Sequence, residues 1–291
     1  MKQLVKKIYA LMVLIVLLAI VGAATLAWYT SNQQVKTDTV SAKTGNKDLV
    51  LQVSSSGGGS FRDEDPAAIT QVNNTNMEFL MPVSTADLEN FVTGVGSEYD
   101  PQTETEMVTN FVPVQEEAGY YHGRVYLRAV GEGWKDDTKL RLYLDQSEQL
   151  AFTPGADSKV LNAARLGLKF EGAAPVIFHP SENSNNTQVL NTKLNGTRLS
   201  AGQVLKSDGG SNVSAVSDPS VSLDTYTIQM DSSGMSVPQT PLLEMDLNTI
   251  YTLDIYFYLE GCDPDCSEEI SRDDTNMQLA FYGVPTGGVT E

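Results

Sequence analysis

Chemistry-bearing residues are scarce in this chain. Its 291 residues include two cysteines, two histidines and two tryptophans. The histidines, His122 in YYHGRV and His179 in IFHPSE, fall in no H-E-x-x-H pair, so the zinc-peptidase signature is missing. No G-x-S-x-G elbow presents a serine nucleophile. The stretches GGGS and SDGG lack the Lys-Ser/Thr that completes a phosphate-binding loop and read as flexible loops. Cys262 and Cys266 make no C-x-x-C, which argues against a redox catalyst and against zinc. Paired carboxylates are a design every acidic chain offers, and no spacing singles out a pair. The expectation is a protein that is not an enzyme.

Basic residues are also few: 19 Lys and Arg face 37 Asp and Glu, a net charge of −18. Nucleic acids and anionic lipid surfaces are bound by replacing counterions with Lys and Arg, so this balance excludes them as partners. Hydrophobic residues make up 41%, enough for a buried core.

The basic residues that open the chain, Lys2, Lys6 and Lys7, precede an uncharged apolar run over residues 8–28. As a helix rising about 1.5 Å per residue, this run is long enough to span a bilayer. The layout suits either an uncleaved N-terminal membrane anchor or a secretory signal peptide over residues 1–27. Thr25 and Ala27 are small enough for the −3 and −1 pockets of a signal peptidase, which would cut before Trp28. The stretch GAATLAWYTSN, through Thr25, Ala27, Trp28 and Tyr29, resembles the SipW-type signal peptides of Gram-positive bacteria. That resemblance implies export, with signal peptidase as a transient partner, membrane contact only through residues 8–28 before cleavage, and a secreted or cell-surface product. No cysteine follows the run, so a lipoprotein is not expected, and YGVPTGGVTE carries no wall-sorting signal.

Alternation of period two dominates the rest. In YTLDIYFYLE, Leu253, Ile255, Phe257 and Leu259 point one way and Thr252, Asp254, Tyr256, Tyr258 and Glu260 the other. The same pattern places Val125, Leu127 and Ala129 on one face, with His122 and Arg124 on a solvent face. It recurs at Leu140, Leu142 and Leu144, at Leu166, Leu168 and Phe170, and at Met277, Leu279 and Phe281. DLVLQVS (48–54) and LDTYTIQM (223–230) read as further strands. One apolar face per strand predicts an all-β, antiparallel, jelly-roll-like sandwich with long polar loops. Helices should be short at most, with candidates at 84–92, capped by Ser84, and 66–72. Residues 28–47 are short of apolar side chains and predict a mobile segment, and residues 48–291 predict a single domain.

The sequence GCDPDC places Cys262 and Cys266 around an Asp-Pro-Asp turn. Outside the cell, such a spacing predicts a small disulfide that pins the turn. Glu260, Asp263, Asp265, Glu268, Glu269, Asp273 and Asp274 crowd the same loop. That density suits either a solvated acidic loop or a calcium site, although the EF-hand spacing is absent. The closing segment IYFYLEGCDPDC…NMQLAFYGV, through Leu259, Glu260, Gly261, Asp263, Pro264, Asp265 and Cys266, resembles secreted β-sandwich proteins distantly related to the TasA/camelysin family. The resemblance implies a sandwich and, for some members, extracellular fibres of the biofilm matrix.

The leading expectation is therefore a secreted cell-surface or biofilm-matrix structural protein that self-associates, the N-terminal segment adding as a strand to a neighbour's sheet edge. The alternative is an adhesin-like module that recognises glycan or protein through its loops or a face bearing Tyr120, Tyr121, Tyr126, Tyr143, Tyr256 and Tyr258. For those tyrosines a second packing layer is the simpler role.

Overall fold

A computed structural model describes residues 35–44, 49–63, 67–73, 80–102, 104–114, 118–132, 134, 137–145, 160–180, 191–231, 234–266 and 275–286. The segment 1–34, with Thr25, Ala27 and Trp28, lies outside the described residues, as do Glu268, Glu269, Asp273 and Asp274. Among the described residues no helix is long and apolar enough to cross a membrane.

Two sheets enclose the core. The six-stranded sheet holds β1 (Val35–Thr44), β9 (Lys139–Asp145), β17 (Thr227–Asp231), β18 (Gly234–Ser236), β19 (Leu243–Asp246) and β21 (Thr275–Pro285). Its order is β1-β21-β9-β17-β18, with β19 also on β9. The nine-stranded sheet is built on β2 (Leu49–Ser54), β8 (Tyr121–Gly131), β10 (Ala164–Phe170), β11 (Val176–His179) and β20 (Ile250–Glu260). Short strands complete it: β3 (Arg62–Asp63), β4 (Thr70–Gln71), β5 (Pro82–Val83) and β16 (Val221–Ser222). Its main order is β16-β11-β10-β20-β8-β2-β3.

The predicted inward residues meet between these sheets. Val125, Leu127, Ala129, Leu140, Leu142, Leu144, Leu166, Leu168, Leu253, Ile255 and Phe257 are fully buried in one continuous core. Register enforces this: Leu168 faces Ile255 and Leu253 faces Val125, so apolar side chains stack across neighbouring strands. At about 25 cal/mol per Å² of apolar surface, each such side chain contributes roughly 1.5–3 kcal/mol.

The sheets depart from the predicted purely antiparallel pattern. β1 with β21, β9 with β17, β11 with β16 and β5 with β20 are parallel pairs. Each joins strands far apart in the chain, where no tight turn dictates direction.

Three hairpins lie beside the sheets: β6 (Val92–Asp100) with β7 (Thr105–Pro113), β12 (Lys193–Leu194) with β13 (Thr197–Arg198), and β14 (Gln203–Ser207) with β15 (Val213–Ser217). The only α-helix among the described residues is α1 (Val160–Ala163); Leu223–Tyr226, expected to begin a strand, form a 3-10 turn that leads into β17. Neither predicted helix forms. Residues 67–72 bridge to β1 at Ala67 and make β4. In residues 84–92 the cap is not Ser84, whose hydroxyl accepts the Leu205 N–H (2.9 Å); the Thr85 hydroxyl accepts the Leu88 N–H (3.2 Å), and Asp87 accepts from Glu89 and Asn90 (both 3.0 Å). Leu88 then turns left-handed (φ 58°), which ends any helix before its first turn. The reward is burial. Leu88 packs over Gly167 on the outer face of β10, where a Cβ would sit 2.5 Å from Leu88 Cδ1.

Candidate functional site

The strap 80–92 changes the outer face of the nine-stranded sheet. Val83, Leu88 and Phe91 lie over Tyr120, Ile177, Tyr256 and Tyr258 as a second apolar layer. Phe91 stacks on Tyr120 at 3.9 Å between ring centroids and meets Tyr258 edge-on at 5.4 Å. Tyr120, Tyr121, Tyr143, Tyr256 and Tyr258 are buried, and only Tyr126 of the set is half-exposed. A recognition face made of these tyrosines is therefore covered.

His122, expected on the solvent face, is buried too. Its ring stacks on Tyr256 at 4.4 Å, and its Nε2 lies 3.1 Å from Asp254. Arg124 Nε donates to the same carboxylate at 2.6 Å. Burial works against the Asp254 charge, yet the bonds from His122 and Arg124 hold its carboxyl below the usual value.

The second polar cluster sits where β20 ends. Arg165, on β10, has no exposed surface. Its guanidinium donates to Asp218 (3.3 Å), to Asp263 (3.2 Å) and to the Ala164 carbonyl (3.0 Å). Glu260 is buried beside it, and one of its oxygens accepts the Cys262 N–H (3.1 Å). One guanidinium thus faces two buried carboxylates, Glu260 and Asp263, and a partly exposed third, Asp218. Burial pushes the Glu260 carboxyl up to about 8 against the pull of Arg165, and Asp263 up to about 6 for the same reasons. At neutral pH the cluster holds a proton on Glu260.

The cysteines flank this cluster as free thiols, so the disulfide predicted from the spacing is not part of this structure. The physical reason is that they pack in different places. Cys262 joins Val92, Leu199 and Leu205, with its Sγ 3.7 Å from the Ser84 hydroxyl, whereas Cys266 packs against the main core. Arg165 pins the turn instead, helped by the Asp263 N–H on the Glu260 carbonyl (3.0 Å) and the Cys266 N–H on the Asp263 carbonyl (2.9 Å). Glu260 and Asp263 face inward, away from any solvated cation. Among the described residues, no three His, Cys, Asp or Glu side chains are placed to hold a metal ion.

The third place of interest is the seam of chain ends. β1 runs parallel to β21, with Val40 opposite Leu279 and Ala42 opposite Phe281. Val40 and Ala42 are buried in the main core, and the Val40 backbone exchanges two hydrogen bonds with Ala67 (2.8 and 2.9 Å). Within the segment 28–47, expected to be mobile, residues 35–44 are instead a strand; 28–34 and 45–47 lie outside the described residues. Two well-placed apolar side chains and a free row of partners on β21 suffice to order a polar segment.

Arg165 and Asp218 escape the sequence reading, and Ser84, read there as a helix cap, instead accepts the Leu205 N–H (2.9 Å) and lies 3.7 Å from the Cys262 Sγ. Arg165 falls on the alternate positions of β10 and reads as a solvated residue, and nothing local announces the layer that covers it. Comparison of the chain with family models, with curated proteins and with solved structures gives no match.

Proposed function

We propose that the chain is a secreted cell-surface or biofilm-matrix structural protein whose copies join by exchanging β1. The observation that supports this reading is the β1–β21 seam. β1 sits at the edge of its sheet, is separated from β2 only by residues 45–48, and contributes main-chain pairing plus two buried side chains. A β1 from a second copy can make the same contacts, so exchange loses nothing in pairing and links copies head to tail. The strand addition expected from the sequence thereby becomes a strand exchange. Export follows from the basic cluster and the apolar run before Trp28.

The test is light scattering after size exclusion, with negative-stain microscopy, on protein beginning at Trp28. Concentration-dependent oligomers or filaments are expected. Val40→Asp, which places a charge opposite Leu279, should abolish them. A peptide spanning residues 35–44 should cap growth of the unaltered protein. A monomer at every concentration, or unchanged assembly after removal of residues 28–47, would refute the reading.

A further inference from the structure

The turn Gly261–Cys266 carries both thiols of the chain, one on each side of the residue that Arg165 grips. We infer that Cys262 and Cys266 are a reversible modification site, a thiol pair that a low-molecular-weight disulfide oxidises to an internal bridge, releasing the turn from Arg165. The inference is independent of assembly through β1.

Three observations carry it. First, both cysteines are free thiols, and only three residues separate them, so a bridge between them needs no distant partner. Second, the resting arrangement holds the thiols in separate packing clusters, Cys262 beside Ser84 and Cys266 on the main core. A bridge requires a sulfur–sulfur bond of about 2.05 Å and converging side chains, so at least one thiol must leave its place. Third, the turn that positions both thiols is fastened by polar contacts of the residues on and beside it. Cys262 gives its N–H to Glu260 (3.1 Å), and Asp263 spends one oxygen on Arg165 (3.2 Å) and the other on the Asp265 N–H (3.0 Å). Dithiol and bridge are therefore alternative fastenings of one turn. Burial raises both thiols, which keeps the dithiol form slow to react while the turn is closed.

The chemistry balances with the external disulfide as oxidant. On transient opening, the less buried Cys266 loses its proton and its thiolate attacks one sulfur of the external disulfide. A mixed disulfide forms and one small thiolate leaves. The Cys262 thiolate then attacks the Cys266 sulfur and displaces the second small thiol. Two protein thiols are oxidised, one external disulfide is reduced to two thiols, and small thiols in excess reverse the reaction.

The experiment exposes the folded protein to oxidised and reduced glutathione at set ratios. It reads the bridge by peptide mapping and backbone protection by hydrogen exchange. The expected result is an internal Cys262–Cys266 bridge with no lasting mixed disulfide. Amides of residues 260–266 should exchange about tenfold faster in the oxidised protein, and protection should return on reduction. Cys262→Ser should stop at a mixed disulfide on Cys266, still latched to Arg165. Failure to bridge at any ratio would overturn the inference. So would a bridge that leaves exchange at 260–266 unchanged or slower, because the bridge would then coexist with the Arg165 contacts.

Discussion

The proton on Glu260 makes stability fall as pH rises, and Glu260→Gln should remove that fall. In the unfolded chain the carboxyl ionises near its ordinary 4.5, whereas in the folded chain burial delays ionisation to about 8. Between those values the folded state binds more protons than the unfolded state, so stability declines with increasing pH. It is greatest below about 4.5, and the decline is complete above about 8. Asp263 acts in the same direction, but only between its ordinary 3.8 and about 6. The interval from about pH 6.5 to pH 8 therefore isolates Glu260. One pH unit corresponds to about 1.4 kcal/mol, so the unaltered protein should lose roughly 2 kcal/mol across that interval. Glutamine imitates the protonated acid in shape and can still accept the Cys262 N–H, so the variant should stay level there and be the more stable protein at pH 8. Urea unfolding of protein beginning at Trp28, at a concentration where it is monomeric, reads both slopes directly. Parallel slopes for the two proteins would refute the buried, protonated Glu260.

Two further perturbations test the packing around the same sheet. Arg165→Met leaves Asp218, Asp263 and Glu260 without their cation and should cost about 3–5 kcal/mol in urea unfolding; the deficit should shrink near pH 5, where Asp263 takes up its own proton. Gly167→Ala puts a methyl 2.5 Å from Leu88 Cδ1, so the strap must shift and thermal unfolding should report a loss of about 1–3 kcal/mol, with weaker protection of the amides of residues 85–91.

The inner faces of the strands were legible because burial between two sheets requires only that every second residue be apolar. Leu253, Ile255, Phe257 and Leu259 satisfy that with no knowledge of what they face. The outer faces were not legible. Tyr256, Tyr258 and Glu260 occupy the positions that alternation assigns to water, and a strap arriving from residues 80–92 covers them. Which loop folds over which face is settled by long-range fit, such as Leu88 finding the gap above Gly167, and no local pattern records it. Ser84 was read as the helix cap, but its hydroxyl is taken by the Leu205 N–H; the capping bonds come from Thr85 and Asp87, and a capped start does not make a helix when Leu88 turns left-handed. The acidic turn shows the same limit. Its density of carboxylates was visible, whereas the cation that balances Glu260 and Asp263 lies on β10, 98 residues before Asp263 in the chain.

The parallel seam also sets an order of events. β1 finds its partner only after the last strand, Thr275–Pro285, has been delivered. In a chain threaded across a membrane with its N-terminus leading, β1 emerges first and waits through nearly the whole of translocation. The antiparallel trio β10-β20-β8 closes over shorter separations and is complete before β21 arrives, so the nine-stranded sheet is the natural nucleus and the six-stranded sheet the late addition. The waiting time is a property of the topology. If the chain is exported as proposed, that time lengthens with slower export, and β1 strands of neighbouring copies would compete throughout it for a place that does not yet exist.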